Sequence, residues 1–141
     1  KRADNKSMLV LLDDAGKIAS YADVPDIALD LIEVADKPTT IIYPGAKRLA
    51  PNLIAEDGTI GIRITREEFT RSLIFRYNKP IVSTSANISG EPSPHFFGEI
   101  SEEIKNAVDY IVDYRRNDHN PAAPSSIIKL GMGGEIQIIR K

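Results

Sequence analysis

Residues 59–85 read TIGIRITREEFTRSLIFRYNKPIVSTS, a stretch whose hydrophobic period changes twice. Isoleucines at 60, 62 and 64 alternate with Thr59, Gly61 and Arg63, as in a strand with one buried face. The alternation gives way to a helix in which Thr65 and Glu68 have the spacing of a capping box, and Phe69, Leu73 and Tyr77 form a stripe. Lys79-Pro80 then feeds a second strand, IVSTS. A strand–helix–strand unit implies two parallel strands joined by a crossover. The chain is accordingly expected to be α/β: a single-domain twisted mixed β-sheet flanked by helices.

The flanking sequence agrees with that class. SMLVLL (7–12) is a continuous apolar run closed by Asp13-Asp14, the form of a strand covered on both faces. A helix follows with Pro25 near its start, Ile27, Leu31 and Val34 at helical spacing, and Asp26, Asp30 and Glu33 on the wetter side. TTIIY (39–43) reads as a strand ended by Pro44-Gly45, and 46–57 as a loop. Beyond the central stretch, Ser101-Glu102-Glu103 opens a helix with acids in its first turn. YIVDY (110–114), SSIIKL (125–130) and EIQIIR (135–140) read as three more strands, the last two joined through Gly131–Gly134 as a hairpin. Tyr43, Phe69 and Phe75 are expected in or near the core.

Composition narrows the chemistry. The 141 residues, 42% hydrophobic, suffice for one domain with a core. There is no cysteine, which excludes disulfides, thiolate metal sites and thiol nucleophiles. The two histidines, His95 and His119, lie far apart in sequence and make a weak ligand set, so no protein-held metal is expected. Magnesium arriving with a phosphate substrate fits better, because phosphate oxygens and water can hold most of it. No apolar run approaches the roughly 20 residues that span a bilayer, and nothing at the start resembles a signal peptide, so a cytoplasmic protein without membrane contact is expected. The net charge of −2 conceals an uneven distribution: acids crowd DVPDIALDLIEVAD and EISEE, while Lys1, Arg2 and Lys6, then Lys47-Arg48, Arg63, Arg66, Arg71 and Arg76 supply bases. A nearly neutral total can therefore hide one basic pocket.

Neither a GxxxxGK[ST] loop nor a GxSxG elbow is present. In open α/β sheets, ligands settle beyond the carboxyl ends of strands. Arg63 lies near that end of its strand, before a helix whose first N–H groups favour anions, and Ser83, Ser85 and Asn87 lie at the corresponding end of the next. If the two strands are parallel, a guanidinium fork, hydroxyls and an amide converge there. This inventory suits binding a phosphate chain or a carboxylate. The same serines and asparagine would also serve as turn residues that cap backbone groups, and pattern alone leaves both readings open. Arg66, Arg71 and Arg76 are expected on a wet helix face, Arg115-Arg116 on a loop surface and His119 in a turn.

Taken together, KRADNKSMLVLL, TIGIRIT, KPIVSTSANISGEPSP, APSSIIKL and the closing IQIIR resemble, in order, the motifs of the YrdC-type threonylcarbamoyl-AMP synthases. The resemblance implies a twisted α/β sheet around a concave basic cavity, and synthesis of L-threonylcarbamoyladenylate from L-threonine, bicarbonate or CO2, and ATP with Mg2+, releasing pyrophosphate. It implies a nucleotidyltransferase whose product a separate tRNA threonylcarbamoyl transferase complex uses to modify a tRNA adenosine. Carried over by position, Arg2 and Lys6 face ATP phosphates, while Thr59, Ser85, Ser93 and Arg140 contact the nucleotide. Asn87 completes the SxN motif and joins Arg2 and Ser85 as catalytic candidates. Arg63 holds the threonine carboxylate, with Ser83 and Ser125 lining the threonine side.

Departures from the family pattern set further expectations. The strand, PTdTvYGL-like loop and helix with which relatives begin have no counterpart in 1–141, and the motif lysine would fall just before Lys1. A domain lacking that strand-loop-helix, inactive or badly impaired by itself, is therefore expected, with the synthase activity belonging to the full-length protein. Leu11 stands where some relatives carry a threonine-contacting histidine, and ADKPTT replaces a WPGP-like stretch. A second reading, from a different class, is a non-catalytic paralogue that binds structured RNA or a nucleotide in the same cavity.

Overall fold

The computed structural model describes residues 8–141, so the expected phosphate contacts Arg2 and Lys6 lie outside the described residues. The elements run β1 (Leu9–Leu12), a 3-10 turn (Ala15–Ser20), α1 (Ile27–Val34), β2 (Thr39–Tyr43), a 3-10 turn (Pro51–Leu53), β3 (Ile60–Ile64), α2 (Glu68–Tyr77), β4 (Ile81–Ser83), a 3-10 turn (Phe97–Glu99), α3 (Glu102–Ala107), β5 (Ser126–Leu130) and β6 (Ile136–Arg140). All six strands form one sheet in the order β4-β1-β3-β2-β5-β6. The β1–β3 and β2–β5 pairs are parallel and the rest antiparallel, so the expected mixed α/β sheet is present. Two compact units are distinguished: 8–83 with 125–141 carries the whole sheet, and 84–124 forms the other.

Strand pairing sorts the side chains of the sheet onto two faces, because directly paired residues point the same way and neighbours along a strand alternate. One face carries Val10, Leu12, Ile41, Tyr43, Ile60, Ile62 and Leu130, each at most 2% exposed, and joins Ile18, Ala22 and Ala28 in the core. The other face carries Leu9, Leu11, Thr40, Ile42, Gly61, Arg63, Ser83, Ile127 and Lys129. The β5–β6 hairpin closes through Gly131 N–H donating to Glu135 O at 2.9 Å, with Gly134 at φ 90° in the region that favours glycine.

The parallel pair expected from 59–85 is not formed. β1 lies between β3 and β4, parallel to β3 and antiparallel to β4, so β3 and β4 run in opposite directions. Helix α2 starts and finishes at the sheet end where β3 stops, and Asn78, left-handed at φ 57°, turns the chain back into β4. Ser83 therefore shares a row with Leu9 and Gly61, while Arg63 shares the next with Leu11 and Ile81. Their common ground is a sheet face, not a rim of carboxyl ends.

Other corrections follow from packing. Helix α2 is capped by Glu67, whose carboxylate accepts from Phe69 N at 3.0 Å and Thr70 N at 2.7 Å; Thr65 instead accepts from Glu67 N. The helix N-terminus is thus filled by the chain's own anion. Of α2, Ile74 at 1% is the buried residue, whereas Phe69, Leu73, Phe75 and Tyr77 are exposed. In α1 the inward residue is Ala28, with Leu31 and Ile32 partly buried and Val34 exposed. Arg66 is exposed as expected but precedes α2, and it donates to the carbonyls of Ile32 and Ala35 at 2.6 and 2.7 Å, satisfying the end of α1. YIVDY is not a strand: the Arg116 side chain takes the Ile111 and Val112 carbonyls that a ladder would need.

Ile74 anchors α2, so Ile74→Ala is expected to cost about 2–5 kcal/mol in urea denaturation, and Leu73→Ala less than about 1 kcal/mol. Equal losses would show that the exposed stripe, not Ile74, holds the helix.

Candidate functional site

The sheet face opposite the core gathers the site residues expected within this unit. Thr40, Arg63 and Ser83 lie on it by register, and Ser125, one residue before Ser126, joins them through its side chain. Thr40 Oγ1 and Ser125 Oγ share a 2.9 Å hydrogen bond, both residues being buried. Arg140, paired with Ile127 across a register shift in the β5–β6 ladder, donates from Nε to Ser125 O at 2.8 Å. Thr59, one residue before Ile60, follows by alternation.

Arg63 differs from the other cations. It is half-buried, and among the described residues it makes no ion pair or hydrogen bond. Burial alone pulls its guanidinium below the ordinary arginine range, the signature of desolvation without a compensating anion. A guanidinium remains charged at any physiological pH, so a site of this kind favours an incoming carboxylate or phosphate. Hydroxyl groups of Thr40 and Ser125 lie on the same face.

Thr59 sits in a second arrangement, on the wall of a cavity of about 560 Å³. Its hydroxyl donates to Asp57 Oδ1 at 2.6 Å, and Lys129 Nζ donates to Asp57 Oδ2 at 2.6 Å. These bonds, Lys129 first, pull the Asp57 carboxyl down to about 2. Asp57, Lys129 and Thr40 were not singled out from sequence. Strand pairing puts Lys129 on the Ile127 face, and nothing local pairs it with an acid 72 positions away.

Ser85, Asn87 and Ser93 belong to the 84–124 unit. Asn87 Nδ2 donates to Glu91 O at 2.8 Å and Ile88 O at 3.2 Å, which ties the loop together as the turn reading requires. Its Oδ1 is buried and accepts no hydrogen bond among the described residues, an oddity a pure turn residue does not need. Gly90, at φ 90°, turns the chain toward Ser93, and both Ser85 and Ser93 are exposed. His119 stacks obliquely on Phe96 with centroids 4.6 Å apart, and His95 Nδ1 lies 3.2 Å from Glu99.

The profile of the Sua5/YciO/YrdC family, described as "Telomere recombination", matches residues 1–141. The chain belongs to this family. A Methanocaldococcus jannaschii protein named "Putative threonylcarbamoyl-AMP synthase" is 37% identical over 131 residues, 92% of this chain and 60% of the relative. The chain thus spans about 60% of that relative's length. E. coli YciO superposes with a TM-score of 0.80 at 21% identity, over 99% of this chain and 67% of YciO, and so shares the fold. P. abyssi Sua5, crystallised in complex with L-threonine, superposes with a TM-score of 0.73 at 25% identity, over 91% of this chain and 37% of Sua5.

In this Sua5/YciO/YrdC domain the Asp57 network carries a pH dependence of definite sign. A carboxyl held at about 2 instead of 3.8 contributes stability that is present above its ordinary value and lost as pH falls through about 2. Between about pH 4 and pH 2 the wild type is expected to lose more stability than Asp57→Asn, measured by urea unfolding at each pH. Parallel acid limbs would show that the network contributes nothing to folding.

Proposed function

We propose that the protein acts as an L-threonylcarbamoyladenylate synthase serving tRNA modification. The observation that carries this reading is Arg63: a half-buried cation without an anion of its own among the described residues, on a face lined by hydroxyls. The name of the archaeal relative and the threonine bound to P. abyssi Sua5 supply the chemistry that such a cation would serve.

In this reading Arg63 grips the threonine carboxylate, with Ser83 and Ser125 on the threonine side. The threonine amine, having taken up CO2 or bicarbonate as a carbamate, is thereby held for in-line attack on the α-phosphorus of ATP. The carbamate oxygen forms the new P–O bond, the bond to the β-phosphate oxygen breaks, and pyrophosphate leaves. Positioning two anions and neutralising charge is most of the work in such a transfer, and no histidine base is needed. Arg2 and Lys6 would meet the phosphates, and Thr59, Ser85, Asn87, Ser93 and Arg140 would hold the nucleotide, which enters as its Mg2+ complex. The adenylate would pass to a tRNA threonylcarbamoyl transferase complex in the cytoplasm. Among the described residues no helix is long and apolar enough to cross a membrane.

Pyrophosphate release that depends on both L-threonine and bicarbonate tests the assignment. Arg63→Ala is expected to raise the KM for threonine about 10- to 100-fold, the loss of a charge-assisted pair. Arg63→Lys should recover only part of it, because an ammonium cannot supply a bidentate fork. Pyrophosphate release indifferent to threonine would overturn the reading. Structured-RNA affinity that falls steeply with salt, without turnover, would favour the non-catalytic paralogue instead.

A further inference from the structure

The chain has one Asp-Gly step, Asp57-Gly58, and no Asn-Gly. In such a step the backbone nitrogen after the acid can attack the side-chain carboxyl, and a following glycine leaves that nitrogen without a Cβ to shield it. The N–Cγ bond forms, the carboxyl hydroxyl and the amide proton leave as water, and a five-membered succinimide results. Water then reopens the ring at either carbonyl. One opening returns aspartate; the other gives isoaspartate, whose main chain runs through the β-carboxyl and is one carbon longer.

Packing does not protect this step. The Asp57 side chain is 50% exposed, and a Cβ built on Gly58, which has φ 78°, would meet nothing within 4 Å. Hydrogen bonds restrain it instead. Asp57 Oδ1 accepts the Thr59 hydroxyl at 2.6 Å and the Thr59 N–H at 3.2 Å, and Oδ2 accepts from Lys129 Nζ at 2.6 Å. Gly58 N–H donates to Ala55 O at 2.9 Å, and Ala55 N–H to Thr59 O at 3.0 Å. Ring closure needs the carboxyl carbon to swing onto Gly58 N, that nitrogen to release its proton, and one carboxyl oxygen to be protonated so that it can leave. Each requirement is opposed here, because both oxygens are held, the Gly58 N–H is engaged, and an ammonium favours the ionised carboxylate. With its carboxyl pulled down to about 2, Asp57 carries the needed proton roughly tenfold or more less often near neutral pH than a free aspartate does. Of these restraints, Lys129 is the one that arrives from 72 positions away.

We propose that Asp57-Gly58 is a site of spontaneous isoaspartate formation that the Lys129 and Thr59 contacts hold in check in the folded protein. The modification then follows local opening of the entry to β3, and it is self-reinforcing. In isoaspartate the free carboxylate sits directly on the α-carbon, one carbon closer to the main chain, so it no longer spans to Lys129. The added main-chain carbon lies three positions before Ile60, the first residue of β3, whose register fixes both faces of the sheet. The inference does not depend on the reaction assigned above and stands if that reading fails.

The test incubates the purified protein beside a synthetic peptide of residues 54–61, IAEDGTIG, at mildly acidic pH with and without urea. Isoaspartate is counted by methyl-acceptor labelling with an isoaspartyl methyltransferase and located by peptide mapping. The folded protein is expected to isomerise at Asp57 about 10-fold or more slowly than the peptide, with the difference lost in urea. Lys129→Met, which keeps the aliphatic stem, and Thr59→Val should each raise the folded rate about 5-fold or more, while Lys129→Arg, which keeps the charge, should stay near the wild type. The unfolded fraction of every variant is measured by circular dichroism under the same conditions. A merely structural role would speed isomerisation only in proportion to that fraction, so acceleration at an unchanged unfolded fraction supports the proposal. A folded Lys129→Met protein with the wild-type rate would overturn it, as would equal rates for native protein and peptide. If Lys129→Met does not fold, Thr59→Val and the peptide comparison decide by the same criteria.

Discussion

Ile60 and Ile62 on β3 are each 2% exposed, and the residues between and beside them, Thr59, Gly61 and Arg63, are committed by that burial to the opposite face. β3 is paired on both sides, to β1 and to β2, so neither edge can slip independently. A shift of one residue would carry Arg63 into the core and three isoleucines out of it, and burying an unpaired guanidinium would cost several kcal/mol. The hydrophobic core therefore sets the facing of the candidate site. Thr40 on β2 and Ser83 on β4 inherit their orientation through register with the same central strands.

On that shared face, and just beyond it, the cations are differently engaged. Lys129 is held by Asp57, Arg140 spends Nε on the Ser125 carbonyl, and Arg66 closes the end of α1. These are architectural uses of positive charge, and each has a partner within about 3 Å. Arg63 is half-buried without such a partner among the described residues, and desolvation pulls its pKa down. A protein interior tolerates that condition poorly unless an anion arrives, which is why Arg63, not the more numerous surface bases, carries the functional reading. The Glu67 carboxylate reinforces the point from the other direction: it occupies the N-terminus of α2, so the nearest helix end does not compete for the ligand.

Element type was legible where one period dominated. The alternation of 59–65, the continuous run of 7–12, and the glycine turn between 130 and 135 each name a single solution in local terms. YIVDY shows the limit: its apolar alternation is compatible with a strand, but pairing requires free carbonyls, and Arg116 had already taken them. The α2 stripe shows another. Phe69, Leu73 and Tyr77 have helical spacing, yet the side that meets the sheet unit's core is decided by Ile74, and propensity does not say which stripe faces inward.

What the sequence determined by itself is the two-faced character of the strands and the ordered motifs of a Sua5/YciO/YrdC domain, because both depend on neighbours a few positions apart. Strand direction was decided only in three dimensions. β1, distant in sequence, inserts between β3 and β4, and α2 returns the chain to the sheet end it had just left. The Thr40–Ser125 and Asp57–Lys129 contacts belong to the same category, joining residues 85 and 72 positions apart. Local pattern cannot supply such partners, because a side chain meets a group that far along the chain only once the strands between them have paired.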